Sequence, residues 1–177
     1  MEPLIQRAQK GDSESFIEAI NLIVPQLYKT ARTRLSSEED IGDAIQETII
    51  SAFANIGKLK KTEYFKTWAV RILINKCNDI IKKNNKVVYL AEIDESAELY
   101  GFGDDASVDR MDLENAINHL PEDYKTSLIL YYVNRFTTKE MAEILDESEG
   151  TIKSRLSRAR NILKNCLLNY GGVKCNE

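Results

Sequence analysis

The chain has 177 residues, of which 43% are hydrophobic and 29% charged, and its formal net charge is −4. Such a length holds one ordinary domain or two small ones, and such a composition argues against a disordered or fibrous chain. Cys77, Cys166 and Cys175 form no C-x-x-C pair, which argues against a zinc cluster or a disulfide framework. Because the sequence shows no signal peptide and no long apolar run, we expect a cytoplasmic protein.

The charge is distributed unevenly along the chain. Residues 58–86 carry nine basic and two acidic side chains, whereas residues 87–123 carry one basic and eleven acidic side chains. Residues 150–165 then carry five basic side chains and no acidic one. Two basic segments are therefore separated by an acidic one, and a nucleic-acid partner is compatible with the negative total.

Apolar residues at helical spacing predict three helices in the first half. The first covers about Asp12 to Leu35, with Pro25 as a kink or a break, the second Ile41 to Ile56, and the third Tyr64 to Lys83. The predicted core positions are Phe16, Ile20, Ile23, Leu27, Ala31 and Leu35, then Ile41, Ile45, Ile49, Ala52, Phe53 and Ile56, then Val70, Leu73, Ile74, Cys77, Ile80 and Ile81.

The helical pattern disappears between about Asn84 and Asp109, where acidic residues and glycines are typical of a solvated linker. Because loops beyond roughly 15 residues are uncommon inside compact domains, we expect two small helical domains. The fold class is all-α, since no strand-like alternation occurs. The predicted boundaries are 1–86 for the first domain, 87–110 for an acidic flexible linker, 111–170 for the second domain and 171–177 for a tail. A single bundle with one long surface loop is the alternative.

The second half carries clear helix boundaries. A short helix with Leu113, Ala116, Ile117 and Leu120 is expected to end at Pro121, which then opens a helix containing Leu128, Ile129, Tyr132 and Val133. Thr137-x-x-Glu140 has the pattern of a capping box for a helix that ends at Leu145. Ser148 can cap a last helix, from Glu149 to about Leu168.

The last two helices are joined by three residues, 146–148, which is the length found in a helix-turn-helix. On the last helix, Ile152, Leu156, Ala159 and Leu163 share the inner face. The outer face and its margins carry hydroxyl, amide and basic groups, as a helix that reads DNA does: Thr151, Lys153, Ser154, Arg155, Ser157, Arg158, Arg160, Asn161 and Lys164. A merely solvated charged face is the alternative, but the absence of acids from 150 to 164 favours DNA.

The third helix has an unusual second face. Trp68 and Ile72 lie there beside Arg71 and Asn75, and four further basic residues precede them in the sequence: Lys58, Lys60, Lys61 and Lys66. Aromatic and basic side chains together suit single-stranded nucleic acid. Packing of Trp68 and Ile72 against a neighbouring helix is an equally good interpretation.

A polar face on the second helix brings together Asp43, Gln46 and Glu47. A metal or catalytic role is not credible for it, because the chain has a single histidine, His119, and no nucleophile with a basic partner. A glycine-rich phosphate loop is also absent. The sequence therefore predicts no enzyme, no cofactor and no small-molecule substrate.

These motifs resemble the extracytoplasmic-function (ECF) sigma factors of bacterial RNA polymerase over almost the whole chain. Asp43-x-x-Gln46-Glu47 and Phe65-x-x-Trp68 are similar to region 2 of the family. Leu120-Pro121-Glu122 and the string from Gly150 to Arg160 are similar to region 4, and that string is long and specific.

The resemblance implies a promoter-directing initiation factor that binds core RNA polymerase, at its β′ clamp helices and β flap, and promoter DNA. It implies that Asp43, Gln46 and Glu47 contact the clamp helices. For the −10 element it implies Lys58, Lys60, Lys61, Lys66, Trp68, Arg71 and Asn75, and for the −35 element Thr151, Lys153, Ser154, Arg155, Arg158 and Arg160. It also implies an anti-sigma factor, which in the family is often membrane-bound.

Some positions depart from the family pattern. Ile41-Gly42 replaces the usual Ala-Glu, Lys125 replaces a common Arg, and Asp146 replaces the Gly that usually closes its helix. Asp can adopt the left-handed conformation that Gly would supply. The alternative function is a stand-alone dimeric helix-turn-helix regulator, which would explain the second domain but leave the first unexplained. A nucleic-acid-modifying enzyme, a third class, lacks any catalytic set.

Overall fold

The computed structural model of the protein describes residues 1–88, 116–117 and 120–170, and within these ranges it contains helices and no β-strand. The eight α-helices labelled here are α1 (Glu2–Ala8), α2 (Ser13–Asn21), α3 (Val24–Ala31), α4 (Glu38–Asn55), α5 (Phe65–Val88), α6 (Glu122–Leu128), α7 (Thr138–Leu145) and α8 (Glu149–Tyr170). The all-α prediction is confirmed. The predicted linker and tail lie outside the described residues, apart from the end of α5, and so does most of the short helix predicted before Pro121.

The first half begins with a helix that the sequence pattern did not predict, α1. The single helix expected over 12–35 is two helices, because the chain turns at Leu22 and Ile23 and Pro25 lies in the first turn of α3. Asp12 caps α2 by accepting a hydrogen bond from the Ser15 backbone at 3.1 Å. The predicted core positions of this segment are all buried.

The buried stripe of α4 differs from the predicted one. Ile41, Ala44, Thr48 and Ala52 are buried, whereas Phe53 is 50% exposed, so its assignment to the core is wrong. Small side chains on the buried stripe allow α4 to pack closely on α5, its main neighbour, and Phe53 lies one position beyond that stripe. On α5 the predicted core is confirmed for Val70, Leu73, Ile74 and Cys77, while Ile80 and Ile81 are half-buried.

In the second half, a π-helical segment, Ile129–Val133, continues α6. Its wider turn is marked by a hydrogen bond from the Asn134 backbone N–H to the Ile129 carbonyl at 2.9 Å. The extra residue per turn rotates the following side chains, so Leu130 is buried and Tyr132 is 45% exposed. Pro121 precedes α6 as its cap residue rather than opening it.

The predicted caps of the last two helices are confirmed. Thr137 and Glu140 form the reciprocal capping box at the start of α7. Asp146 ends that helix in the left-handed conformation, with φ 57°. Ser148 accepts a hydrogen bond from the Thr151 backbone N–H at 3.0 Å in the first turn of α8.

The two halves of the chain pack against each other. Helix α5 lies against α7, and α3 lies against the π-helical segment. The buried apolar residues of both halves form one cluster, which extends from Ile5 to Ala159. None of the described helices is long and apolar enough to cross a membrane.

Candidate nucleic-acid interface

Helix α8 presents one apolar and one polar face, as the sequence predicts. Ile152, Leu156 and Ala159 are fully or almost fully buried. The side chains assigned to DNA on this helix are exposed with one exception: Thr151, Lys153, Ser154, Arg158 and Arg160 face solvent, and Arg155 does not. The polar face is therefore available to a groove of DNA, while the apolar face fixes the helix on its scaffold.

Arg155 is part of an ion pair inside the helix-turn-helix. Its Nη2 lies 2.8 Å from Oε1 and 2.7 Å from Oε2 of Glu147, in the turn between α7 and α8. The two side chains are only 14% and 29% exposed. Sequence reasoning missed Glu147, because a pair eight residues apart across a turn leaves no periodic signal. In this conformation the guanidinium of Arg155 binds Glu147 and stabilises the turn.

Two further contacts position the start of α8. The Thr138 hydroxyl donates to Glu149 at 2.7 Å, which ties the first turn of α7 to that of α8. Lys153 forms an ion pair with Glu149 at 2.8 Å, one helical turn away. The hydrogen bond from Lys153 and then that from Thr138 lower the pKa of Glu149, so this carboxylate is charged near neutral pH. Both contacts involve exposed groups, so DNA can compete for Lys153.

The basic segment before α5 is anchored by Gln9, the residue that follows α1. The Gln9 side-chain amide donates to the backbone carbonyls of Ile56, at 3.0 Å, and Leu59, at 2.7 Å. Lys58, Lys60 and Lys61 follow in this segment and are exposed. Lys61 also lies over the ring of Tyr64, 5.5 Å from its centroid. Gln9 was missed because nothing in a single sequence connects residues about fifty positions apart.

The predicted second face of α5 lies towards the other half of the chain. Lys66 Nζ donates to the backbone carbonyl of Asn134 at 2.6 Å and lies 5.0 Å from the ring centroid of Phe136. Burial lowers the pKa of Lys66, and the Glu140 carboxylate opposes that effect. Trp68 is half-buried against the core. Trp68 and Ile72 are therefore partly buried against the core, as the packing interpretation expects, while the nucleic-acid role remains a prediction.

The remaining two residues of this face differ in exposure. Arg71 is half exposed and lies 3.8 Å from Asp146, at the end of α7. Asn75 is exposed one turn further along α5. The residues assigned to the −10 element thus differ in exposure: Lys66 and Trp68 are half-buried, and the others are exposed, namely Lys58, Lys60, Lys61, Arg71 and Asn75.

The polar face of α4 is exposed at Asp43, Gln46 and Glu47, as the sequence predicts. Glu47 forms an ion pair with Lys76 of α5 at 3.2 Å. The same face continues one turn further with two apolar side chains, Ile50 and Phe53, which are 56% and 50% exposed. Sequence reasoning missed this apolar extension, because it assigned Phe53 to the core.

Comparison with known proteins gives the class of this fold. Residues 20–87 match the family described as Sigma-70 region 2, and residues 110–163 match the family described as Sigma-70, region 4. Together these matches include α4, α5 and the helix-turn-helix. The fold and its surfaces thus define a transcription initiation factor of the sigma-70 class.

Individual relatives place the chain within that class. It is 30% identical to the ECF RNA polymerase sigma factor SigW of Bacillus subtilis (strain 168), over 90% of this chain and 92% of that one. It is 31% identical to the ECF RNA polymerase sigma-E factor of Haemophilus influenzae, over 93% of each chain. The chain therefore belongs to the ECF RNA polymerase sigma factors.

A solved structure is similar over both halves at once. The sigma factor RpoE of Bartonella quintana, in complex with the anti-sigma factor NepR, is 28% identical, with a TM-score of 0.77 over 88% of this chain and 98% of that one. As a member of the family, the chain is a non-enzymatic initiation factor that binds core RNA polymerase and directs it to promoters. A stand-alone regulator is not favoured, because the likeness includes the first half as well as the helix-turn-helix.

Proposed function

We propose that the two halves of this sigma factor divide promoter recognition between the −35 and −10 elements. Helix α8 enters the major groove of the −35 element, and the basic surface of residues 58–75 binds the −10 element. The observation that carries this proposal is the outward face of α8 from Thr151 to Asn161, where every exposed side chain is basic or able to form hydrogen bonds to bases, on a helix fixed by a capped three-residue turn.

At the −35 element, the exposed residues of α8 have different tasks. Ser154 and Arg158 lie on the middle of the outward face and contact base edges. Lys153 and Arg160 lie at its margins and neutralise phosphates, and Thr151 faces the backbone from the first turn. Arg155 acts as a positioning residue through Glu147, so its contribution to DNA affinity is indirect.

At the −10 element, cations and one aromatic ring act together. Lys58, Lys60 and Lys61 are exposed and neutralise phosphates, and Lys66 and Arg71 extend this surface along α5. Trp68 offers a ring for stacking on an unpaired base, and Asn75 offers an amide to a base edge. The domain boundaries follow this division, with residues 1–86 and 111–170 as the two functional units.

The polymerase-binding surface is the exposed face of α4. Asp43, Gln46 and Glu47 supply carboxylate and amide groups for the β′ clamp helices, and Ile50 and Phe53 add an apolar patch beside them. Such a patch, next to polar groups, has the composition of a protein interface, because apolar area supplies affinity and the polar groups supply orientation. The second domain contacts the β flap.

We expect this protein to be cytoplasmic and to be regulated by an anti-sigma factor. If that anti-sigma factor is membrane-bound, it would hold the sigma factor at the membrane. Support comes from the similar RpoE chain, which was solved with its anti-sigma factor. A partner that covers the α4 face or the α5 surface would block polymerase or promoter binding directly.

Run-off transcription from a promoter library with core polymerase, with and without the protein, tests the proposal. We expect protein-dependent transcripts whose start sites share two upstream elements. The double variant Asp43→Lys/Gln46→Lys should abolish them while the helical circular dichroism is unchanged. Gln6→Lys/Glu18→Lys, with the same change of charge at exposed positions of α1 and α2, is the matched control. DNA binding that does not depend on polymerase would contradict the proposal.

A further inference from the structure

The segment between α4 and α5, residues 56–64, has little regular structure of its own. It contains two 3-10 turns of three residues each, and turns of this kind are held by few and poorly aligned hydrogen bonds. Its lysines make local contacts: Lys58 donates to Asn55 at 2.7 Å, and Lys61 lies 3.8 Å from Glu63. Because each contact joins residues two or three positions apart, neither fixes where the segment lies on the first domain.

Gln9 supplies a contact from outside the segment. Its side-chain amide nitrogen donates to the backbone carbonyl of Ile56 at 3.0 Å and to that of Leu59 at 2.7 Å, which uses both of its N–H groups. The Ile56 carbonyl also accepts the Leu59 backbone N–H, at 3.2 Å, and this bond closes the first 3-10 turn. One amide group therefore binds both ends of that turn and ties it to the end of α1.

Gln9 is itself held in place by the fold. Helix α1 packs on α2 and against residues 62–64, and its Ile5 and Ala8 side chains are buried. The Gln9 backbone N–H donates to the Ile5 carbonyl at 2.9 Å, so the helical hydrogen bonding extends to Gln9. Gly11, with φ 97°, then turns the chain towards α2. The donors of Gln9 thus start from a packed helix, where a positioning group is held precisely.

We propose that Gln9 is a positioning residue for the −10 element, because it holds the segment of Lys58, Lys60 and Lys61 in the arrangement that meets the DNA phosphates. This inference rests on the proposed function of these lysines. Gln9 precedes residues 20–87, the part of the chain that matches Sigma-70 region 2. If the segment without this anchor adopted the binding arrangement about one tenth of the time, its apparent affinity for the −10 element would fall about tenfold.

Hydrogen–deuterium exchange of the full chain tests the anchoring itself. Gln9→Met removes both donors and keeps a side chain of similar length, and Gln6→Met makes the same change at an exposed position of α1. The backbone N–H groups of Leu59 and Tyr64 form hydrogen bonds within the segment and report its opening. We expect residues 56–64 to exchange several-fold faster in Gln9→Met than in wild type or Gln6→Met. Equal exchange in all three proteins would overturn the anchoring.

Binding of the −10 strand by the holoenzyme tests the consequence for function. The probe is a labelled single strand, copied from the −10 region of a promoter that the wild-type protein transcribes. With core polymerase present, we expect Gln9→Met to bind this strand about tenfold more weakly than Gln6→Met. The two variants should associate equally with core polymerase in a pull-down titration, because the exposed face of α4 is unchanged. Equal affinity for the strand would overturn the positioning role.

Restoring a donor at the same position separates hydrogen bonding from a general structural effect. Gln9→Lys supplies an ammonium with three N–H groups, whereas Gln9→Glu has nearly the shape of glutamine and, when ionised, no side-chain donor. Because an added charge changes DNA affinity by itself, each variant is compared with the same substitution at Gln6. We expect Gln9→Lys to bind the −10 strand as tightly as Gln6→Lys, and Gln9→Glu to bind it several-fold more weakly than Gln6→Glu.

The outcomes distinguish this inference from the proposed function. If the wild-type holoenzyme neither binds the −10 strand nor yields a run-off transcript, the proposed function fails. If the wild-type holoenzyme binds and transcribes, but Gln9→Lys is as weak as Gln9→Met after comparison with the matching Gln6 variants, the donors of Gln9 do not position the segment and the inference is overturned.

Discussion

The ion pair between Arg155 and Glu147 yields a prediction that separates positioning from base reading on the recognition helix. Both residues are replaced by alanine, singly and together. If Arg155 acts through the turn, each single variant should lose both folding stability and −35 affinity. The double variant should lose little more than either single one, because the second substitution has no pair left to break.

The expected size of the effect follows from the burial of the pair. Breaking a fully buried ion pair costs about 3–5 kcal/mol, whereas a fully exposed pair contributes about 0.2–1 kcal/mol. The guanidinium contacts both carboxylate oxygens, at 2.8 and 2.7 Å, and the side chains are 14% and 29% exposed. We therefore expect each single variant to lose about 1.5–3 kcal/mol of folding free energy, in the range of hydrogen bonds to charged groups.

Urea unfolding followed by circular dichroism gives the stability of each variant, and the double-mutant cycle gives the coupling energy. Arg158→Ala is the matched control, because Arg158 is exposed on the same helix. It should change stability by less than about 0.5 kcal/mol. It should nevertheless weaken −35 binding by about 1–3 kcal/mol and relax the preference at one base pair.

The refuting result is equally specific. If Glu147→Ala changes neither stability nor −35 affinity while Arg155→Ala relaxes the preference at a single base pair, Arg155 reads DNA. The ion pair would then be a resting contact that the promoter replaces. A uniform loss of affinity over all promoter sequences, with the same loss in Glu147→Ala, supports positioning.

Three further predictions concern exposed, strained and titrating positions. Ile50→Ser should change the free energy of unfolding by less than about 0.5 kcal/mol, because Ile50 is exposed, but it should weaken core polymerase binding several-fold in a pull-down titration. Unchanged binding would remove Ile50 from the proposed polymerase surface. Asp146→Ala should lower the free energy of unfolding in urea by about 1–2 kcal/mol, because the backbone φ of this residue is 57°, whereas Asp146→Gly should be tolerated. Equal stabilities of the two variants would contradict the strain. Burial raises the pKa of Glu140, but hydrogen bonds from Thr137 and Thr67 outweigh it and lower that pKa below 4.5. The stability that the Glu140 carboxylate contributes is complete above pH 4.5 and is lost as the pH falls through its folded-state pKa. The melting temperatures of wild type and Glu140→Gln should therefore converge in acid. A difference that stays constant with pH would exclude this role.

Local rules account for the parts of the fold that the sequence predicts well. The capping box at Thr137 and Glu140 and the cap at Ser148 depend on residues three positions apart, so their pattern is complete in the sequence. The inner face of α8 follows from helical periodicity in the same way. The left-handed conformation of Asp146 could also be anticipated, because the three-residue turn demands it and Asp tolerates it.

Positions set by packing between distant segments could not be predicted. Phe53 is hydrophobic and continues the predicted apolar stripe of α4, but the helix buries the neighbouring Ala52 against the core and leaves the Phe53 ring 50% exposed. The π-helical segment that exposes Tyr132 was not predicted either, because no single-sequence rule signals such a turn. The fold class depends on the average pattern and tolerates the error at Phe53, whereas the proposed polymerase surface does not, since we include Phe53 in it.

In the candidate site, too, the sequence predicts which residues are basic, whereas contacts with other segments determine which of these charges are free. Arg155 and Arg158 are both arginines on an acid-free helix, and composition alone assigns both to DNA. Their difference arises from a glutamate in the preceding turn, which neutralises one guanidinium and leaves the other to solvent. Lys66 and Lys60 differ similarly, because the second domain supplies a carbonyl to Lys66, whereas Lys60 is exposed and forms no hydrogen bond or ion pair with the described residues. A basic segment thus predicts that a protein binds nucleic acid, but which of its cations remain available is determined by acceptors elsewhere in the fold.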